Sequence, residues 1–481
     1  MKHYIGMLIA VVVINFGFAA TSAAEPLIID SDRELFVDRY LIDQMDNLSL
    51  RIGNPVHKDI SIHFDAPWEG RYCGYITVFQ DDKLFRMYYR GLPEAGKDGS
   101  STEVTCYAES KDGINWVKPE LNLFDYQGSG KNNIVLANHA PYSHNFAPFL
   151  NTRPDAPNAE KYFAIAGTQD TGLSVFASED GLRWQLLHEG VIKEGAFDSQ
   201  NVAFWAEREN CYVCYFRTWS GGGYDGYRWI SRCTSTDLKT WSAPEVMTAG
   251  DAPPEHIYIN QTVPYFRAPH IYIALAARFM PGRQVITPEQ AAALGIEGGY
   301  FKDCSDNVLM TSRGGTAYDR TFMEGFVRPG IGLENWTSRT NYPARGIVST
   351  GKDEISFYIQ HNYGQPTARL DRYTLRNDGF ASIHVDYTGG TVTTKPFIFK
   401  GKGLYINYST SAAGYIRIEI LDETGTPITG YTGSECKEII GDSTEQRVTW
   451  GDNTDINALE GKPIRIRFSM KDADLFALQF K

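Results

Sequence analysis

Short runs of β-branched and aromatic residues, separated by turn residues, recur along the whole chain. Residues 75–79 (YITVF) and 85–89 (FRMYY) form one pair of runs, and residues 202–205 (VAFW) and 212–216 (YVCYF) form another. Runs of this length and composition, bounded by glycine, proline, asparagine or aspartate, are typical of β-strands. The pattern therefore predicts an all-β protein in which pairs of strands recur.

One segment departs from this pattern and predicts a helix. Residues 288–294 follow Thr287, a good N-cap residue, and Gln290 stands where it completes a capping box. Gly295 is a typical helix stop. We therefore expect one short helix within a β-rich chain.

A turn motif is repeated along the chain. Serine, any residue, aspartate and glycine precede an aromatic residue at 110–116 and 178–184, in a degenerate form at 235–241, more weakly from Ser312, and as Asp-Gly-Phe at 378–380. Asp-Gly is a typical sequence of a tight hairpin turn. Spacings of about 57 to 77 residues leave room for four strands per repeat. Five copies therefore predict a five-bladed β-propeller.

The segment after the last repeat has a different pattern. Residues 404–408, 415–421 and 464–468 alternate apolar and polar positions between turns rich in glycine, aspartate and threonine. Such alternation buries one face of each sheet and is typical of a β-sandwich. We therefore divide the chain into a propeller at 25–388 and a C-terminal β-sandwich at 389–481.

The N-terminus predicts export. A lysine at position 2 precedes an apolar run at 5–20 and the small residues at 21–24. This order is typical of a secretory signal peptide, and the run is shorter than the roughly 20 residues of a spanning helix. We expect residues 1–24 to be removed. The mature protein is then secreted or periplasmic, with no membrane insertion.

Charge and composition exclude several classes of partner. The net charge is −12, and no lysine- or arginine-rich run is present, so nucleic acids and anionic membranes are not expected partners. Seven cysteines are few for 481 residues. The spacing of histidines, cysteines and acidic residues fits no closed metal site, so we expect neither a metal ion nor another cofactor.

Propeller geometry indicates which residues meet. The innermost strand of every blade starts at the same face of the central channel, so residues near these starts converge there. The polar candidates, from blade one to blade five, are Asp65, Glu69, His144, Asn145, Asp198, Asn201, Glu255, Tyr258, Asn260 and Arg345. Three blades thus supply a carboxylate to one face.

This layout resembles the five-bladed propeller glycosidases of glycoside hydrolase families 32 and 43. It resembles more closely the uncharacterised exported, family-32-like proteins of bacteria. Phe197-Asp198 before a strand is similar to the motif of their pKa-modulating aspartate, and Glu255 before a strand is similar to that of their general acid. Blade one lacks both the Trp-x-Asn-Asp-Pro motif and a plain Asp-Pro start. The resemblance implies hydrolysis of an extracellular plant or algal-type polysaccharide or oligosaccharide.

The implied chemistry is acid/base catalysis by carboxylates. Glu255 is the expected general acid, Asp198 the modulator, and either Asp65 or Glu69 the base or nucleophile. One carboxyl group protonates the leaving oxygen while its ionised partner activates water or attacks the sugar. The sequence leaves retention and inversion open. The same four carboxylates also suit structural ion pairs across the channel, and this alternative stays open too.

Three arginines and a tryptophan complete the predicted substrate site. Arg90, Arg217 and Arg278 each end the second strand of a blade, and Trp219 begins a glycine-rich loop on the same face. Guanidinium groups either neutralise the carboxylates or bind anionic sugar groups. Aromatic rings stack on sugars. A uronate or sulfated glycan is therefore as consistent with the sequence as a neutral one.

Two other functions remain open at this stage. A non-catalytic propeller would bind glycans without cleaving them, because fold alone does not fix function. A polysaccharide lyase would neutralise a uronate with arginine while a histidine or tyrosine abstracts a proton. A sialidase is disfavoured, because its repeat places a residue between aspartate and glycine and its fold has six blades.

Overall fold

The computed structural model describes residues 25–481, whose regular elements are almost all β-strands. The signal peptide predicted at 1–24 lies outside the described residues. Five sheets of four or five strands form the blades of a propeller, and a sixth sheet contains ten strands. The prediction of an all-β, five-bladed propeller is confirmed.

Five strands precede the first blade. In chain order they are β1 (Leu27–Asp30), β2 (Arg33–Leu35), β3 (Ile42–Asp46), β4 (Ser49–Ile52) and β5 (Val56–His63). The first four belong to the ten-stranded sheet, and the fifth belongs to the last blade.

Blades I to III follow in chain order. Blade I contains β6 (Gly74–Asp81), β7 (Leu84–Gly91), β8 (Val104–Ser110), β9 (Trp116–Val117) and β10 (Ile134–Leu136). Blade II contains β11 (Ala147–Leu150), β12 (Tyr162–Thr168), β13 (Gly172–Ser178) and β14 (Gln185–Ile192). Blade III contains β15 (Val202–Ala206), β16 (Cys211–Trp219), β17 (Arg228–Ser235) and β18 (Glu245–Val246). Short 3-10 turns occur at Tyr142–His144 and Asn158–Glu160.

Blades IV and V complete the ring. Blade IV contains β19 (Ile257–Ile259), β20 (Thr262–Tyr265), β21 (Ala268–Met280) and β22 (Cys304–Ser312). Blade V contains β23 (Tyr342–Pro343), β24 (Val348–Ser349), β25 (Glu354–His361), β26 (Arg369–Arg376) and the early strand β5. A 3-10 turn at Leu333–Asn335 lies between them.

The N-terminal part of the chain closes the ring. Strand β5 pairs antiparallel with β26, with Ile62 opposite Leu370, so the outermost strand of blade V comes from before blade I. Strand β5 thus covers the edge of β26, which would otherwise be free. The sequence analysis did not predict this exchange.

The repeated turn lies at the same place in successive blades. Ser110, Ser178 and Ser235 are each the last residue of the third strand of a blade. Ser312 ends β22, which holds the same position in blade IV because the short strands β19 and β20 both pair with β21. At Ser110 and Ser178, the serine Oγ accepts a hydrogen bond from the backbone N–H three residues on, at 3.0 and 2.9 Å. The motif therefore marks the turn that leaves the third strand of a blade.

The predicted helix is α1 (Pro288–Ala293), in the loop that connects β21 and β22. Thr287 Oγ1 accepts from the backbone N–H of Gln290, and the Gln290 side chain accepts from the backbone N–H of Thr287. The predicted capping box is thus present. Among residues 25–481, no helix has the length and apolar character needed to span a bilayer.

Both ends of the chain build the sixth sheet. Its later strands are β27 (Ala381–Val385), β28 (Gly390–Thr394), β29 (Phe397–Phe399), β30 (Leu404–Asp422), β31 (Asp442–Arg447) and β32 (Ile464–Phe480), with a 3-10 turn at Asn457–Leu459. The strands β1 to β4 pair with this C-terminal set. The unit around 389–481 therefore also includes residues from the start of the chain, and its description as a β-sandwich stays a prediction.

Candidate functional site

Tyrosines from three blades gather where the innermost strands begin. Tyr75 of β6 packs against a cluster that contains Tyr258 of β19 and Tyr342 of β23, and the last two rings lie 5.1 Å apart. Tyr75 adopts a φ of 51°, which is costly for a bulky side chain. Its hydroxyl donates to the Asp198 carbonyl oxygen at 3.2 Å. We call this end of the channel, bounded by the three tyrosines, the mouth.

Guanidinium groups surround one of these tyrosines. The Arg217, Arg228 and Arg339 guanidinium carbons lie 4.5, 5.6 and 5.7 Å from the centre of the Tyr258 ring. Arg217 pairs with Asp198, whereas Arg228 and Arg339 form no ion pair with any part of the chain from 25 onward. Three cations and one carboxylate thus surround Tyr258. The mouth is locally positive in a protein whose net charge is −12.

This charge changes the acidity of Tyr258. Burial by itself raises the pKa of a phenol, but the Arg339 and Arg217 guanidiniums outweigh burial and lower the pKa of Tyr258 from its ordinary value. Burial raises the pKa of Tyr75 and of Tyr342. Tyr258 is therefore the tyrosine of the mouth that ionises first.

We expect Tyr258 to titrate below a normal tyrosine. The difference in phenolate absorbance between wild type and a Tyr258→Phe variant should develop at lower pH than the absorbance of free tyrosine. Arg339→Met should move that difference to higher pH, because it removes a cation that stabilises the phenolate. A difference signal at the pH of free tyrosine, unmoved by Arg339→Met, would contradict this account.

A second group of charges adjoins the mouth. His144 Nδ1 lies 3.0 Å from Glu103 Oε1, and Arg90 Nη1 lies 3.2 Å from both Asp98 Oδ1 and His144 Nδ1. The Tyr75 ring contacts His144 at 5.5 Å between centroids and Arg90 at 4.7 Å. This cluster therefore meets the mouth at Tyr75.

The cluster has the composition of a cation site but is arranged as an ion-pair network. Ligand atoms of Asp98, Glu103 and His144 lie within 4.8 Å of one another. Arg90 Nη1 lies within 3.6 Å of the Glu103 oxygen and closer to the other two. A guanidinium nitrogen thus occupies the position that a metal ion would require. The arrangement fits a resident arginine better than a metal ion.

The same contacts orient the histidine ring. Glu103 is fully buried, and its Oε1 lies 3.0 Å from His144 Nδ1, a contact that suits the tautomer with its proton on Nδ1. The other ring nitrogen, Nε2, makes no hydrogen bond within residues 25–481, and 8% of the side chain is exposed. A histidine held in this tautomer by a carboxylate has the arrangement of a general base.

Glu255, the predicted general acid, lies beside a groove of about 910 Å³ next to blade IV. One of its oxygens accepts from Arg278 Nη1 at 2.9 Å and the other from Arg320 Nε at 3.0 Å. Arg278 also binds Asp306 through two hydrogen bonds, of 2.9 and 2.6 Å. Both oxygens of Glu255 are thus engaged by arginine side chains. The contacts of Glu255 and Arg278 therefore suit a structural network better than proton donation.

Asp198 lies at the mouth, as predicted. It pairs with Arg217, the arginine that ends the second strand of the same blade, and 42% of its side chain is exposed. Asp198 therefore has access to a ligand in the channel while it remains paired with Arg217.

The two blade-one candidates have other partners. Lys118 Nζ lies 3.0 Å from Asp65 Oδ1 and 2.7 Å from Glu69 Oε2. Glu69 is fully buried and accepts from the Tyr89 hydroxyl at 2.6 Å, whereas 77% of the Asp65 side chain is exposed. These contacts give both carboxylates a structural role in blade I.

Three predicted amides support the backbone. Asn145 Nδ2 donates to the carbonyl oxygens of residues 167, 197 and 199, and Asn201 Nδ2 donates to those of 197 and 199. Asn260 Oδ1 accepts from the Thr262 backbone and hydroxyl. All three asparagines are buried. They hold the loops of the mouth in place instead of facing a ligand.

The predicted glycine-rich loop brings aromatic rings to the mouth. Trp219 lies 4.4 Å from the Arg228 guanidinium and 5.9 Å from the Tyr224 ring. Tyr224 and Tyr227 are exposed. Exposed rings beside cations form a surface on which sugar rings can stack.

Arg345 lies on the other side of a polar layer from the mouth. Gln200 Nε2 donates to Thr77 Oγ1 at 2.9 Å, and Gln261 Nε2 donates to Gln200 Oε1 at 2.6 Å. These side chains close the channel beneath the tyrosines, and Arg345 lines the cavity at the opposite end. Its predicted place among the ligands of the mouth is therefore wrong.

The sequence analysis missed several groups of the mouth. Arg228, Arg339, Asp98 and Glu103 lie in loops or at strand ends that the search for inner-strand starts did not include. Arg339 has a positive φ of 58°. No local motif identifies any of the four.

No protein-family model and no curated protein matches the sequence. Solved structures match its fold. A chain named "Glycoside hydrolase" has a TM-score of 0.47 and 10% identity, over 67% of this chain and 92% of that one. A structure from the GH130 family of mannoside phosphorylases, which contains glycoside hydrolases that target β-1,2 mannosidic linkages in Candida mannan, has a TM-score of 0.43 and 14% identity, over 67% and 94%. A glycoside hydrolase family 43 arabinoxylan arabinofuranohydrolase from Bacillus subtilis has a TM-score of 0.38 and 10% identity, over 86% and 97%. The five-bladed propeller expected from the sequence is confirmed by the sheet topology.

Proposed function

We propose that the protein is a glycan-active enzyme that cleaves glycosidic bonds in a polysaccharide whose sugars carry carboxylate or sulfate groups. The observation that carries this proposal is the excess of guanidinium groups around Tyr258. Arg228 and Arg339 reach the mouth without a carboxylate partner among residues 25–481. Planar guanidinium groups bind carboxylate and sulfate oxygens through paired hydrogen bonds. The exposed Tyr224 and Tyr227 add stacking surface for the sugar rings.

Hydrolysis is the first candidate reaction, as the sequence resemblance implied. It requires two carboxyl groups on either side of the scissile bond. Asp198 and Asp98 suit this requirement, because 42% and 40% of their side chains are exposed. Tyr75 lies between them, since it bonds to Asp198 and contacts Arg90, the partner of Asp98. In this reaction Glu255 supports the arginines and does not act as the acid.

Elimination is the second candidate reaction, and the orientation of His144 favours it. His144 Nε2 would remove the proton on the carbon next to a uronate carboxylate, while Arg339 stabilises the negative charge that develops. The electron pair forms a carbon–carbon double bond, and the bond from the neighbouring carbon to the glycosidic oxygen breaks. Tyr258, whose pKa is lowered by Arg339 and Arg217, would protonate the departing oxygen.

The products distinguish these reactions. Hydrolysis releases reducing ends without new ultraviolet absorbance, whereas elimination also creates an unsaturated uronate that absorbs. A panel of neutral, uronate-containing and sulfated polysaccharides should give cleavage of the anionic members. Binding of those members with no product at all would favour a non-catalytic glycan-binding protein.

Arg339→Met is expected to weaken the use of anionic polysaccharide by about 10- to 100-fold in kcat/KM, because a hydrogen bond between charged groups contributes about 1.5–3 kcal/mol. Activity on any neutral substrate should change much less. Arg183→Met, which replaces an exposed arginine of blade II, is the matched control and should behave as wild type. Equal losses on neutral and anionic substrates would argue against recognition of a negative charge.

Export is part of the proposal. An anionic polysaccharide substrate would lie outside the cytoplasm, and the signal peptide predicted at 1–24 would deliver the enzyme there. We therefore propose a secreted or periplasmic location.

A further inference from the structure

The far end of the channel contains a second cavity that the proposed function does not use. Its volume is about 480 Å³, and the distal ends of the inner strands of all five blades line it. The layer formed by Thr77, Gln200 and Gln261 separates it from the mouth. Its apolar lining includes Phe79, Leu150, Phe204, Trp205, Val263 and Phe266. The cavity is thus an apolar pocket on the face opposite the candidate active site.

One arginine lies in this apolar wall. Arg345 is 5% exposed and reaches across the channel, with Nη2 donating to the Ala203 carbonyl oxygen at 2.9 Å and Nη1 to that of Pro148 at 3.4 Å. Nε is buried and has no hydrogen-bond partner. No carboxylate within residues 25–481 pairs with Arg345. Burial lowers the pKa of Arg345 to about 10.

A buried cation of this kind favours an anionic ligand. Arginine stays charged in proteins, and a buried charge without a counter-ion is costly. Of its five N–H groups, two donate to carbonyl oxygens, which do not neutralise the charge. A carboxylate in the cavity would supply both the missing charge and acceptors for the remaining donors.

We propose that this cavity binds a small organic monocarboxylate with an apolar body, with its head group at Arg345. The apolar walls fit a hydrocarbon or aromatic body, and the single buried cation fits a single negative charge. Asp82 and Glu207 also line the cavity. Both are exposed, so they repel polyanions at its entrance. The ligand therefore differs from the anionic polysaccharide proposed for the mouth, and this inference does not rest on that function.

Calorimetric titration of the purified protein with octanoate and with octanamide tests the proposal. The two probes have the same apolar body and differ in the charge of the head group. We expect octanoate to bind at least 10-fold more tightly than octanamide, and Arg345→Met to abolish that preference. Equal binding of the two probes, or an unchanged preference in Arg345→Met, would overturn the proposal.

A second variant covers the case in which Arg345→Met fails to fold. Phe266 is an exposed residue at the rim of the cavity, so Phe266→Glu should fold normally while it adds a negative charge beside the ligand. It should weaken octanoate several-fold and leave glycan binding at the mouth unchanged. Octanoate binding equal to that of wild type in Phe266→Glu would place the probe elsewhere and contradict the assignment.

Discussion

Replacement of His144 by alanine is expected to lower the rate of cleavage of uronate-containing polysaccharide by about 10²- to 10⁴-fold, the usual contribution of a general base. With a proton on Nδ1 facing Glu103, Nε2 is the basic nitrogen of His144, whose ring packs against Tyr75. The variant should retain binding, because the arginines around Tyr258 remain. Initial rates and ultraviolet absorbance of the product, measured against pH, check the expectation.

Two further variants test whether His144 acts as a general base or has only a structural role. Glu103→Gln keeps the shape of the side chain but no longer holds the His144 ring with a carboxylate, so kcat should fall several-fold with little change in KM. A merely structural histidine would not give this loss confined to kcat. Glu255→Gln tests the general acid expected from the sequence and should have a small effect. A large loss in Glu255→Gln with full activity in His144→Ala would reject elimination and support hydrolysis with Glu255 as the acid.

The number of blades could be predicted because its signal is local. The bond between the Ser110 hydroxyl and the Gly113 N–H spans three residues, and the same bond recurs between Ser178 and Gly181. Each copy of such a turn requires the same residue types at the same positions. Five local motifs therefore gave the blade count without knowledge of any long-range contact.

The closure of the ring had no such signal. Strand β5 pairs with β26, which lies about 300 residues further along the chain. Alternation of apolar and polar residues indicates which face of a strand is buried but not which strand is its neighbour. The same reason explains why the strands β1 to β4 were assigned to the propeller although they pair with C-terminal strands.

From the sequence, we could predict which face of the propeller carries the candidate site but not most of the contacts within that site. Asp198 and Arg217 were both placed correctly at the mouth, because they flank strands of one blade. The partners of Glu255 were not predictable, since Arg320 comes from a loop 65 positions later. The sequence analysis placed Arg345 at the mouth, but its side chain lies deeper in the channel. Arg345 follows Tyr342 by three residues, and three residues of extended chain span about 10 Å, which is enough to cross the polar layer.

Asp378 illustrates how a repeat residue can acquire a second role. It belongs to the last copy of the repeated turn, has a φ of 62°, and is fully buried. Its Oδ1 accepts from Arg267 Nε at 2.8 Å and from the Tyr265 hydroxyl at 2.9 Å. Its Oδ2 accepts from Asn407 Nδ2 at 3.0 Å and from Arg33 Nη1 at 3.1 Å. One carboxylate thus joins strand β2, blade IV and the C-terminal strand β30.

Asp378→Asn is therefore expected to lower the free energy of unfolding by about 3–5 kcal/mol, because it removes the buried carboxylate that pairs with the buried Arg33 and the partly buried Arg267. Asparagine tolerates a positive φ as well as aspartate does, so backbone strain does not contribute. The midpoint of urea-induced unfolding measures the effect. Asp170→Asn, at an exposed hairpin position of blade II, is the matched control and should unfold as wild type does. If the two variants unfolded at the same urea concentration, Arg33 and Arg267 would not depend on Asp378, and the two ends of the chain would be held to the propeller by their strand pairing alone.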